Sequence, residues 1–197
     1  IDVSNKESVL NGWNKIKSQS IEIDTVIYCA GYYKPMSSES MEIDEVERMI
    51  DINLTGAMRV LNLAIPQLIK QKRGHIVLIG SVAGYRGLPN SIGYGSSKAG
   101  IIHLAENLKC DLSEYGIKVQ VINPGFVKTR LTDLNKFRMP SIITPEQAAI
   151  FITKDMKTNC FEPRFPFVFA NILKLVSMLP YPLYFRLAKF IKARNDK

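Results

Sequence analysis

Tyr94 and Lys98 stand four residues apart in Tyr94-Gly95-Ser96-Ser97-Lys98. On a helix that spacing puts both side chains on one face, a turn apart, so their heads can converge on one point. An ammonium beside a phenol favours phenolate and is expected to draw the tyrosine pKa down from about 10. A tyrosine tuned in that way suits general acid/base work on a carbinol proton. Such a pair also arises by chance on helix surfaces, so its meaning depends on the company it keeps. Ser81 follows an apolar run, in Ile79-Gly80-Ser81-Val82-Ala83-Gly84, and alone would be a turn residue. Asn53, in Asp51-Ile52-Asn53-Leu54, would alone make local hydrogen bonds. Neither His75 nor His103 has metal-ligand spacing to a partner, so both are read as structural and no metal site is expected.

The elements that would position these residues alternate. Residues 5–20 space Val9, Trp13 and Ile16 at helical intervals, with Ser4 placed to cap. Thr25 to Ala30 is a β-rich run suited to a strand buried on both faces. Residues 42–71 form a long apolar-periodic stretch, expected as a helix bent near Pro66. His75 to Ser81 is a second strand, followed by a small-residue loop, and a helix runs from about Tyr94 to Tyr115, stopped by Gly116. Lys118 to Asn123 is a third strand ending in Pro124-Gly125, and Thr144-Pro145-Glu146-Gln147 opens a further helix. Strand alternating with helix predicts a doubly wound, Rossmann-like parallel α/β sheet, whose ligands lie beyond the carboxyl ends of the strands. Gly31, Ser81 and Pro124-Gly125 all fall at such ends.

The 197 residues are 46% hydrophobic and 22% charged, enough for one domain with a sizeable core. The net charge of +8 lies largely near the chain's end, which argues against a uniformly basic nucleic-acid face. Cys29, Cys110 and Cys160 are odd in number and lack metal or redox spacing. They are expected as reduced, buried thiols of a cytoplasmic protein. The chain begins at Ile1, and Ile1-Asp2-Val3-Ser4 reads like the end of a strand, so a fragment is expected.

Taken together, residues 2 to about 129 resemble the short-chain dehydrogenase/reductase family. The family's Asn-Asn-Ala-Gly strand end is met by Tyr28-Cys29-Ala30-Gly31, its helix-borne asparagine by Asn53, and its serine by Ser81, thirteen residues before Tyr94. The resemblance implies an NAD- or NADP-dependent oxidoreductase that interconverts an alcohol and a ketone or aldehyde. Tyr94 would be its acid/base, Lys98 would lower the Tyr94 pKa and bind the nicotinamide ribose, and Ser81 would hold the substrate oxygen. Asn53 would hold a water that links Lys98 to solvent. Asp2 and Val3 would lie against the adenine. Cys29, Ala30, Gly31, Pro124, Gly125, Val127 and Thr129 would line the rest of the cofactor site, and 127–140 matches a mobile substrate lid. Two departures stand out: Tyr28 and Cys29 replace the paired asparagines, and no glycine-rich phosphate loop occurs in the chain. In the family that loop precedes the matched region, and with it two strands that neighbour Thr25–Ala30, whose edge is then expected to be open.

Residues 1–160 are expected to form the catalytic domain and 161–197 an apolar, basic extension. The extension could pack over the cleft or on a subunit partner, or lie in a membrane interface; Lys174, Pro180 and Pro182 argue against a simple span. A dimer or tetramer, with no nucleic-acid partner, is what the resemblance implies. Leu88, Ile92, Phe126 and Leu131 near the cleft hint at a hydrophobic substrate. The competing reading is a non-catalytic relative that binds a partner or membrane through the extension.

Overall fold

The computed structural model describes residues 1–135, 137 and 139–195, the last five by backbone alone. Seven helices and four strands alternate as expected. They are α1 (Lys6–Ser18), β1 (Thr25–Tyr28), α2 (Ile43–Ile50), α3 (Gly56–Gln71), β2 (Gly74–Ile79) and α4 (Ile92–Leu112). After them come β3 (Ile117–Pro124), α5 (Pro145–Met156), β4 (Arg164–Phe165), α6 (Phe167–Ser177) and α7 (Tyr181–Asn195). The four strands form one parallel sheet in the order β1-β2-β3-β4.

Alternation along the strands divides the core. Ile76, Leu78, Val119 and Val121 pack with Leu61 and Leu68 of α3 and Ile101 and Ala105 of α4. Val77 and Ile122, one residue out of phase, pack on the opposite face with Ala148 of α5 and Phe165 of β4. Helices therefore cover both faces, as a doubly wound sheet requires. β3 is almost wholly buried, whereas β1 is an outer strand whose Ile27 is half exposed. The expectation that Thr25–Ala30 is buried on both faces fails: Val26 and Tyr28 face the core, whereas Thr25 and Ile27, one residue out of phase, face outward.

Several local expectations change. Asp2 to Ser4 turns instead of extending, and Asn5, not Ser4, caps α1 by accepting from Ser8 N–H. Ser4 donates to Asp2 Oδ1 instead. The 42–71 stretch is interrupted at a π-helical turn, Asp51–Thr55, while Pro66 sits inside α3. All three cysteines are free and exposed, not buried. Cys110 lies off the Ile101, Ala105, Leu112 stripe that α4 turns to the core, and Cys29 and Cys160 lie in connections outside the sheet. Helix α5 has the full capping box, Thr144 accepting from Gln147 N–H and Gln147 accepting from Thr144 N–H. Gly116 follows α4 in the left-handed conformation expected of a helix stop.

Candidate active site

Tyr94 lies in the first turn of α4 and Lys98 one turn on. Lys98 is 5% exposed. Its Nζ donates to the Ile79 carbonyl at the carboxyl end of β2 (2.8 Å) and sits 5.7 Å from the centre of the Tyr94 ring. Ser81 comes two residues after Ile79, and its Oγ accepts from Ala83 N–H, starting the Val82–Gly84 turn. That turn runs close under α4. A Cβ on Gly84 would stand 2.7 Å from the Lys98 carbonyl, so only glycine allows this approach. Ser81, Tyr94 and Lys98 thus meet at one strand end.

The electrostatics differ from the expectation. Burial pushes the Tyr94 phenol up from its ordinary value, with the nearby Ser81 hydroxyl opposing it. Burial also brings Lys98 down to about 8, opposed by Cys29. The ammonium is held by the Ile79 carbonyl, not by the phenol, so desolvation outweighs the attraction that the spacing implied.

Asn53 is fully buried in the π turn. Its Oδ1 accepts from Tyr32 N–H (2.7 Å), and its Nδ2 donates to Tyr32 C=O (2.9 Å) and Ser97 Oγ (2.8 Å). Ser97 in turn donates to the Tyr94 carbonyl. Both Nδ2 hydrogens are therefore committed to protein groups, and the side chain braces the loop after β1 against α4. A π turn inserted in a helix shifts the register of the next turns and is often found at functional sites.

The Tyr28 departure has a structural place. Its hydroxyl donates to the Ile52 carbonyl in the π turn and occupies the space that a Gly56 side chain would need. Burial raises the phenol to about 12. A tyrosine at the strand end thus ties β1 to the turn that carries Asn53.

The remaining cofactor candidates are dispersed. Val3 packs against the core beside Gly56, and its carbonyl accepts from Arg59, but exposed Asp2 is turned to Ser4. Ala30 is partly buried against the core, and Gly31 borders open space, with only Asn53 Oδ1 near a notional Cβ, at 3.7 Å. Gly125 N–H donates to the Phe165 carbonyl, Val127 bridges to Ile143, and exposed Thr129 forms a turn closed by Thr132. Lys136 and Arg138 of the expected lid lie outside the described residues.

Three contributors escaped the sequence reading. Tyr33 stacks edge-on against Tyr94 (4.9 Å between ring centres), donates to Asn135 Oδ1 (2.7 Å), and is raised by burial to about 12. Ser97 links Asn53 to α4, although its serine type alone carries no such signal. Arg86 donates to the Ser177 and Leu179 carbonyls and lies over the rings of Tyr181 and Tyr184, fixing the elbow between α6 and α7.

The residues present fit the nicotinamide end of a dinucleotide. Gly31 leaves room at a strand end, and the buried Lys98 ammonium uses one of its three donors on Ile79. The sequence holds no loop for the pyrophosphate, so the fit stops there.

The family model for short chain dehydrogenases matches residues 1–138. An "uncharacterized oxidoreductase" of Myxococcus xanthus is 33% identical over 184 residues, covering 93% of this chain and 73% of the relative. A 3-oxoacyl-(acyl-carrier-protein) reductase of Buchnera aphidicola is 33% identical over 168 residues, covering 79% of this chain and 69% of the relative. Two solved structures show the same fold. A short chain dehydrogenase from Burkholderia cenocepacia in complex with NADP has a TM-score of 0.81 at 18% identity, covering 99% of this chain and 78% of that one. A gluconate 5-dehydrogenase from the same organism, with NADP and tartrate, has 0.64 at 23%, covering 67% of this chain and 52% of that one. With Ser81, Tyr94 and Lys98 at one strand end of a doubly wound sheet, this chain belongs to the short chain dehydrogenases, oxidoreductases that act on CH–OH groups with a nicotinamide cofactor.

Proposed function

We propose that the site interconverts a secondary or primary alcohol with its ketone or aldehyde, Tyr94 serving as the acid/base. The observation that carries this reading is the buried Lys98 beside Tyr94, with Ser81 at the same strand end. In the direction of reduction, the Tyr94 hydroxyl gives its proton to the substrate oxygen, and in oxidation it takes the proton back. Its raised pKa keeps the phenol protonated at neutral pH, which suits it to act as the acid. The Ser81 hydroxyl donates to the same oxygen, where negative charge develops. At about 8, Lys98 is mostly protonated at neutral pH, and its charge favours the phenolate left after proton transfer. Asn53 is a positioning residue that acts through Ser97 and the Tyr94 carbonyl.

A bound NAD or NADP supplies or accepts the hydride. Lys98, Gly31 and the strand end at Pro124-Gly125 would hold its nicotinamide ribose and ring, with Val127 and Thr129 beyond; Cys29 and Ala30 flank the same site. Asp2 and Val3 are assigned to the adenine end. An apolar substrate is part of the proposal. Val82 and Leu88, after Ser81, line a small apolar cavity of about 50 Å³ with Leu173, Val176 and Tyr184; Ser81, Tyr94 and Lys98 do not line it, so it speaks only for the apolar character of this side. Residues 161–197 are read as an extension over this side, and a dimer or tetramer as the working assembly.

Turnover of a panel of apolar ketones and aldehydes, with NADH and NADPH, tests the reading on the wild type and Tyr94→Phe. The substitution is expected to lower kcat at least roughly a hundredfold while leaving nucleotide affinity within about twofold. Wild-type turnover by Tyr94→Phe would sink the proposal.

A further inference from the structure

Helices α6 and α7 each bury one side and leave the other bare. Leu173 and Val176 of α6, with Tyr184 and Leu187 of α7, close the cavity beside Val82 and Leu88. On α6, Phe167, Val168, Ile172, Leu175 and Met178 face outward, Phe167 77% and Met178 74% exposed. At about 100° per residue these five fall within an arc of about 140°, a single apolar face. On α7 the outward residues are Tyr181, Leu183, Phe185 and Phe190, with exposed Arg186 and Lys189 among them. The elbow between the helices is rigidly seated: Arg86 holds the Ser177 and Leu179 carbonyls, and the Tyr184 hydroxyl donates to the Gly87 carbonyl.

Charge indicates what covers this face. From Pro163 to Asn195 the chain has six Lys or Arg and no Asp or Glu. Arg164 and Lys174 are turned to Glu162. Among the described residues Arg186 and Lys189 have no ion-pair partner, and both stand in the exposed arc. Two copies meeting through this face would bring these cations together, with no acid in the segment to oppose them. A bilayer carrying anionic headgroups offers both what the aromatic and aliphatic side chains need and what the cations need. No helix among the described residues is long and apolar enough to cross a membrane, so the contact is in the interface plane.

We propose that the outer faces of α6 and α7 seat the protein on the surface of an anionic lipid bilayer. The apolar side chains enter the headgroup boundary, and Arg186 and Lys189 contact lipid phosphates. The contact is independent of the catalytic reading, because none of its residues belongs to the site at the β2 strand end.

Flotation with vesicles of phosphatidylcholine alone, and of phosphatidylcholine mixed with phosphatidylglycerol, tests it on the protein and two double variants. The expected result is partition into the mixed vesicles at least about tenfold above that into neutral ones, weakened near 1 M salt, where the Debye length falls to about 3 Å. R186E/K189E should lower that partition by about tenfold or more, and L175S/M178S by a similar factor, both with unchanged circular dichroism. Equal partition into the two vesicle types, or none into either, overturns the proposal. So does a dimer in sedimentation that L175S/M178S converts to monomer while lipid binding is absent, since the face would then belong to a second copy.

Discussion

On the side of α4 that meets the π turn, Asn53, Ser97 and Lys98 are buried and hydrogen-bonded to named partners. On the side that meets the end of the chain, the balance is reversed. There α6 and α7 turn large apolar residues outward, Phe167, Leu175 and Met178 among them. The contrast separates two ways of using a chain. Satisfied buried polar groups fix one geometry, because each alternative leaves a donor or acceptor bare. Exposed apolar faces fix little by themselves and have a use only when something covers them. Precision near Tyr94 and Lys98 therefore comes from the first side, and contact with surroundings from the second.

Removing the brace should have the largest effect. Asn53→Ala leaves the part-buried Tyr32 N–H and C=O without their partner, while Ser97 Oγ keeps only its bond to the Tyr94 carbonyl. At roughly 1–1.5 kcal/mol for each of the two Tyr32 groups and about 1 kcal/mol for the void left by the buried amide, the loss should be about 3.5 kcal/mol. Urea unfolding measures it, and a loss below about 1 kcal/mol would break the contrast at its root. Lys98 comes next. Its pKa falls from 10.5 to about 8 on folding, so between those values the unfolded chain holds a proton that the folded one has released. Stability contributed at this residue therefore rises with pH through that window and is lowest below it. The difference in unfolding free energy between wild type and Lys98→Met, without nucleotide, should shift by roughly 3 kcal/mol in favour of the wild type from pH 8 to 10.5. A flat difference would mean that the ammonium is not desolvated. The tyrosines raised by burial act at higher pH and with opposite sign, and they cancel in the comparison.

The legible part of the sequence lay in its periodicity and strand ends. The four-residue spacing of Tyr94 and Lys98, the apolar runs ending at Ser81 and Pro124-Gly125, and the Thr144-Pro145-Glu146-Gln147 start are local signals, and α4, β2, β3 and α5 form where they point. The π turn was hidden because one added residue in a helix barely disturbs an apolar pattern read over thirty positions, whereas Pro66 is conspicuous yet tolerated. The direction of the Tyr94 pKa was hidden for another reason. Spacing reveals a neighbouring ammonium but not the burial that opposes it. Tyr28 looked like a lost asparagine, and only the contact with Ile52 and Gly56 shows what it does instead. Cys110 looked like a core residue because its chemistry is apolar, but helical phase puts it outside.

Tyr33 stands between the two sides, its ring against Tyr94 and its hydroxyl on Asn135. Tyr33→Phe keeps the ring and removes the tie to the 127–140 segment. One such hydrogen bond is worth about 1 kcal/mol net. We expect KM for the carbonyl substrate to rise by about fivefold with kcat within about twofold, since the lost tie bears on holding substrate and not on the proton transfer. A fall in kcat with KM unchanged would move Tyr33 to the braced side, as a residue that sets the Tyr94 geometry.

The smallest effect should come from the outer faces, and its smallness is informative. Leu175 and Met178 are mostly exposed, so replacing both by serine removes little buried area. Surface substitutions of this kind usually stay within about 0.5 kcal/mol. L175S/M178S should therefore unfold with a midpoint near that of the wild type when no lipid is present. With phosphatidylglycerol vesicles in excess the two should diverge, because anything that binds only the folded state stabilises it by mass action. The wild type should gain and the variant should gain much less. If the variant instead unfolds early with no lipid present, α6 already packs its outer face within the protein. The open side would then be as closed as the braced one, and the distinction between them would lose its physical basis.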